Sequence, residues 1–210
     1  MATPTTAVTS SFNSLGKGAL LLVGVVALYF AYTYVLPYSV WNEQSYGYYW
    51  PNRLPLAAHA TGGLLALLAG VFQLWSGFNG RAMSTHPLTG RVYLAGVLVG
   101  SLGAMVLSFT SHLYGFAWGV GLFSLATAWL AITLMALLCI KRRKIRPHKQ
   151  WMVRSYILTF AFVTFRIATD YIPAETLWNI SAQEMAVAMI WPVWVLPLLA
   201  YEVYLQYQDR

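Results

Sequence analysis

Apolar residues along this chain gather into long runs separated by short polar stretches. The runs cover about 18–37, 56–78, 88–110, 115–140, 150–172 and 185–205. A bilayer-crossing helix needs roughly 20 apolar residues, and each run is near or above that length. The pattern predicts an all-α, six-helix transmembrane bundle. A chain of 210 residues then has no room for a soluble domain, so 18–207 reads as one membrane domain. The Ser/Thr-rich stretch 1–17 reads as a disordered N-terminal tail. No small-x-small cleavage site follows "ALYFAYTYVLPYS", and the first run is longer than a signal-peptide core, so a retained first helix is expected.

The polar positions within the runs are also patterned. In the second run His59, Gly63, Ala66, Gly70, Gln73 and Gly77 follow steps of four and three. At 100° per residue they share one face, mostly small, which suits close approach of a neighbouring helix or a flat cofactor. Gly96, Gly100 and Gly103 make a similar notch in the third run. The fifth run carries His148, Met152, Ser155, Thr159, Phe162, Arg166 and Asp170 on one face. Charge facing lipid is costly, so that face should turn inward. Arg166 and Asp170 are also spaced to pair with each other as i,i+4 neighbours. Pro192 and Pro197 should kink or loosen the sixth helix.

Composition sharpens this reading. The chain is 59% hydrophobic and 9% charged, where soluble domains are about a quarter charged. Its net charge of +7 is unevenly spread. Lys141, Arg142, Arg143, Lys144, Arg146, Lys149 and Arg154 crowd the fourth-to-fifth connection. Lys17, Arg81 and Arg91 fall on the same side when six spans are threaded. The positive-inside rule then places both termini in the cytoplasm of a cell membrane, bacterial inner membrane being the expected location. The aromatic stretch "YGYYWP" suits the opposite interface. The basic loop sets topology and can also meet anionic lipid headgroups. It is too short and too close to the membrane for nucleic acid. The single Cys139 allows no internal disulfide, and there is no P-loop, CxxC or HExxH.

The candidate chemistry lies in four histidines. His59 and His112 fall near the outer ends of their helices, and His86 and His148 near the inner ends. The 27 residues from His59 to His86 span about 40 Å if helical, more than the roughly 30 Å apolar core. Each histidine therefore lies close to an interface, shallower than the ligands of buried haems usually lie, with two histidines on each side. Two imidazoles facing across a bundle can ligate a b-type haem axially. Arg53 or Arg166 could meet the propionates outside, and Arg91, Lys149 or Arg154 inside. Two haems, one near each face, would give electrons a path across the bilayer. Histidines at an interface also occur without any cofactor.

The segments "HATGGLLALLAGVFQLW", "R-x4-HPLTGRVY" and "HKQWMVRSYILTFAFVTFR" resemble the signature segments of a bacterial family of multi-pass membrane proteins. That family is labelled only as a domain of unknown function. The resemblance covers roughly residues 55–172 and implies a membrane protein without assigning an activity. The arrangement of histidines also resembles the six-helix di-haem cytochromes b that carry electrons from ascorbate. That likeness implies haem ligation by His59 with His112 and by His86 with His148. The spacings here are shorter, and no ascorbate-site motif is present.

Three functions fit these features. The first is a haem electron-transfer protein, a transmembrane oxidoreductase linked to a quinone or small reductant. The second is a cofactor-free accessory or assembly subunit. The third is a small transporter relaying protons or anions through histidine and Arg166.

Overall fold

The computed structural model of the protein describes residues 14–111 and 113–208. The described residues contain helices and turns but no strand. In chain order the α-helices are α1 (Ser14–Phe30), α2 (Glu43–Tyr46), α3 (Arg53–Asn79), α4 (His86–Thr110), α5 (Phe116–Lys141), α6 (Ile145–Thr159), α7 (Ala161–Tyr171), α8 (Ala174–Trp178), α9 (Ala182–Met189) and α10 (Pro192–Gln208). Six stretches of described residues are long and apolar enough to cross a membrane: Gly16–Ser39, Glu43–Asn79, His86–Thr110, Phe116–Lys141, Ile145–Tyr171 and Ala182–Gln208. The expected six-helix architecture is therefore present. Residues 14–17, expected to belong to the tail, already form the first turn of α1; the remainder of the expected tail, 1–13, lies outside the described residues.

Helices α3 to α6 form the centre of the bundle, with α1 and α10 against its outside. The closest pair is α3 with α4, and glycine is the reason. A Cβ on Gly62 would stand 2.4 Å from Gly100 N and 2.6 Å from Gly96 O. One on Gly103 would stand 2.6 Å from Pro55 O. The two backbones thus touch, as small-residue faces allow inside a bilayer, where van der Waals contact rather than water expulsion drives association.

This corrects the face expected for α3. The contact with α4 uses Gly62, whereas Gly63 points into open space. Adjacent positions lie 100° apart on a helix, so only one of the two can face α4. Further along, Gly70 receives the ring of Tyr156. Tyr93, Trp129, Tyr156, Val97, Leu125 and Leu158 fill the centre around it.

Two spans are interrupted. The fifth was expected to be one helix but breaks at Phe160, between α6 and α7. Neither Gly nor Pro is there. Instead Thr159 Oγ1 donates to Ser155 O, and Thr164 Oγ1 donates to Ala161 O. Such back-bonding competes with the helix ladder and bends helices. The sixth span breaks where Pro192 begins α10, as its missing N–H requires. Pro197 lies within α10. Ser181 caps α9 in a reciprocal box with Glu184.

The basic residues around 141–146 lie between α5 and α6 at one end of the bundle, here called the basic end. The stretch 43–52 lies at the opposite, aromatic end. Tyr38, Trp41, Tyr46 and Trp50 pack edge to face there.

Candidate functional site

A cavity of about 290 Å³ opens within the bundle towards the aromatic end. Its walls come from α1, α3, α4, α5, α6 and α7, and include His59, Gly63, Trp118, Trp129, Phe162 and Arg166. Pockets of about 300 Å³ and above commonly hold small molecules. The walls are mostly apolar and aromatic, so the few polar groups decide what the cavity can hold.

His59 is the first of these. Its Nδ1 lies 3.0 Å from Gly100 O. A carbonyl only accepts, so Nδ1 carries the hydrogen and donates it. In the neutral ring Nε2 then holds a free lone pair, and among the described residues it has no hydrogen-bond partner. The edge of Phe162 steadies the ring, with centroids 5.7 Å apart. One turn along, a Cβ on Gly63 would meet nothing within 4 Å. His59 thus stands beside a cleared cradle.

Trp118 is the second. The residue is buried, and its Nε1–H has no hydrogen-bond partner among the described residues. A buried donor without a partner is costly, and an acceptor on a bound molecule would satisfy it. Arg166 is the third. It pairs with Asp170 at 3.4 Å, as its spacing suggested, and its guanidinium lies 4.7 Å from the centre of the Tyr34 ring. Tyr34 sits in a π-helical turn, Ala31–Val35, that continues α1. Such turns are frequent at functional sites. Its hydroxyl donates to Asp170.

His112 lies outside the described residues. Its neighbours Ser111 and Leu113 both line the cavity. Arg53, also expected here, donates to Trp50 O and stacks on that ring at 4.7 Å.

The basic-end histidines do not border this cavity. His86 Nδ1 lies 2.7 Å from Ser76 Oγ, whose hydroxyl also reaches Phe72 O. His148 Nδ1 donates to Ala136 O at 2.9 Å. His59 and His148 therefore share one arrangement, with Nδ1–H held by a backbone carbonyl and Nε2 left as the base, whereas His86 faces a hydroxyl that can either donate or accept. Lys149 lies over the Phe78 ring. A Cβ on Gly77 would touch the His86 ring at 3.4 Å, so no cradle like that of Gly63 stands beside it. Arg154 is already committed. It forms a two-pronged ion pair with Glu202 of α10 and stacks on Trp151 and Tyr201. Arg91 is exposed.

Comparison with family profiles now decides the affiliation. A family described as "Predicted membrane protein (DUF2306)" matches residues 56–205. The chain belongs to that family. Its match begins at Leu56 and spans the core helices α3 to α6 that carry the three described histidines. Comparison with curated proteins and with solved structures finds no match. Family membership and six apolar helices together make this an integral membrane protein of the DUF2306 family. Sequence reasoning missed Trp118, whose partnerless N–H depends on how α5 packs. It also missed the role of Gly63, which only the distinction from Gly62 reveals.

Proposed function

We propose that this DUF2306 protein binds a b-type haem at its aromatic end, where His59 Nε2 and His112 would hold the iron and the cavity of about 290 Å³ would take one part of a ring system larger than itself. The observation that carries the reading is the Nδ1–H bond from His59 to Gly100 O, beside the cleared face of Gly63. Ligating histidines characteristically anchor the second ring nitrogen in this way, which fixes the tautomer and raises ligand basicity. Phe162 and Trp129 supply flat apolar walls, and Arg166 is placed to meet a carboxylate. Bound there, haem would supply a one-electron ferric–ferrous couple. A quinol or small reductant is the class of donor that suits a site within the bilayer.

The test is spectroscopic. Protein made with ample haem should show a Soret band, with a sharp visible band on dithionite reduction. His59→Ala should lose the component through its ligand. Gly63→Leu should lose it by filling the cradle. Folded wild-type protein without a Soret band would sink the reading and leave the accessory-subunit function standing.

A second haem between His86 and His148 rests on His148, whose Nδ1 donates to Ala136 O and leaves Nε2 as the base. It predicts two haems per chain, with His86→Ala and His148→Ala losing the same one. A single haem retained by both variants would exclude it.

A further inference from the structure

Four hydroxyl groups form an unbroken chain through the middle of the bundle. Thr133 Oγ1 lies 2.6 Å from Ser155 Oγ, Ser155 Oγ lies 2.7 Å from Tyr93 Oη, and Tyr93 Oη lies 2.8 Å from Thr159 Oγ1. The groups come from α4, α5 and α6. Thr133, Ser155 and Tyr93 are almost completely buried, and Thr159 lines the cavity. Trp129, another cavity wall, donates its Nε1–H to Thr159 Oγ1 at 2.9 Å.

Counting hydrogens shows what this chain can do. Four hydroxyls bring four hydrogens to three links, leaving one over. Each end has a backbone carbonyl for it: Trp129 O at 2.7 Å from Thr133 Oγ1, and Ser155 O at 2.9 Å from Thr159 Oγ1. The hydrogens can therefore all point one way or all the other, with every group satisfied in both cases. Helix packing alone needs only one such arrangement. Two equivalent arrangements are what a proton relay needs, because each passage reverses the chain and it must then turn back.

We infer that Thr159, Tyr93, Ser155 and Thr133 relay protons from the cavity towards the basic end. A proton taken up on Thr159 Oγ1 displaces that group's hydrogen to Tyr93, Tyr93 passes its own to Ser155, and Ser155 passes its own to Thr133, whose hydrogen, held by Trp129 O, leaves to a water molecule on the basic side. Each O–H bond broken is replaced by one formed, so nothing is oxidised or reduced. Thr133 lies three residues before Ala136, about 4.5 Å along the axis of α5, and Ala136 O is the acceptor that holds His148. His148 thus lies beyond Thr133 on the way to the basic end. This relay stands whether or not haem occupies the cavity.

The experiment measures proton movement. Full-length protein is reconstituted into phosphatidylcholine–phosphatidylglycerol vesicles containing pyranine, and valinomycin with a potassium gradient imposes a potential. Wild-type vesicles should change internal pH several-fold faster than protein-free ones. Tyr93→Phe removes one oxygen while keeping the ring, and should return the rate to the protein-free value. Thr133→Val breaks the other end at similar shape and should do the same. Ser108→Ala, whose hydroxyl donates to Met105 O outside the chain, should conduct like wild type. All variants are compared as monodisperse, helical preparations. A wild-type rate equal to that of protein-free vesicles would overturn the relay. So would Tyr93→Phe and Thr133→Val proteins that conduct undiminished.

Discussion

At the scale of single residues, two adjacent glycines have opposite duties. Gly62 lets α3 touch α4, with Gly100 N only 2.4 Å from where a Cβ would stand. Gly63 faces open space beside His59. Gly62→Ala should destabilise the protein by about 1–3 kcal/mol, the usual cost of overpacking, because the atoms it meets are backbone and cannot swing aside. Gly63→Ala should leave stability nearly unchanged. Thermal unfolding of the two variants in one detergent checks this, and equal losses would refute the division of labour. The small face of α3 was legible from the spacing of its residues. Which glycine of the pair meets α4 was not, because that depends on how the helix is rotated about its axis. The same limit applies to histidine. Four candidates could be read from the sequence, but the tautomer of each depends on which oxygen its Nδ1 reaches.

At the scale of elements, α10 is held to the centre by a charge pair as well as by packing. Arg154 of α6 meets Glu202 of α10 with two hydrogen bonds, between the rings of Trp151 and Tyr201. Breaking a fully buried pair costs about 3–5 kcal/mol, but Glu202 is 42% exposed, so Arg154→Leu should cost about 1–3 kcal/mol. Arg143→Leu, in the exposed basic loop, should cost about 0–1 kcal/mol. Equal melting temperatures for the two would show that the pair contributes nothing. Arg154 had been expected near an inner propionate. Its actual partner comes from a helix some 48 positions away, and no local pattern announces it. The break at Phe160 was likewise hidden, since it comes from threonine hydroxyls bonding backwards rather than from a helix breaker. The break before Pro192 was legible, because proline acts through its own covalent structure.

At the scale of the whole molecule, the remaining question is which end faces the cytoplasm. The crowding of cations between α5 and α6 predicts the basic end. In a Cys139→Ala background, a cysteine replacing Lys144 should resist an impermeant thiol reagent in intact cells. One replacing Asn52 should react. The opposite labelling pattern would reverse the orientation, and with it the direction in which the hydroxyl chain runs. The sequence by itself determined the number of spans, because runs of apolar residues must match the thickness of the bilayer wherever they occur. It also determined the small faces and the charge asymmetry, which follow from composition and a fixed turn of 100° per residue. Only the tertiary structure decided where the cavity opens, which nitrogen of His59 and of His148 is free, and that Tyr93, Thr133, Ser155 and Thr159 meet. Ser155 and Thr159 share one helix face and could be seen together in the sequence. Tyr93 and Thr133 reach them from two other helices, and a hydrogen bond depends on distances that helical rotation and crossing angle set to within a fraction of an ångström.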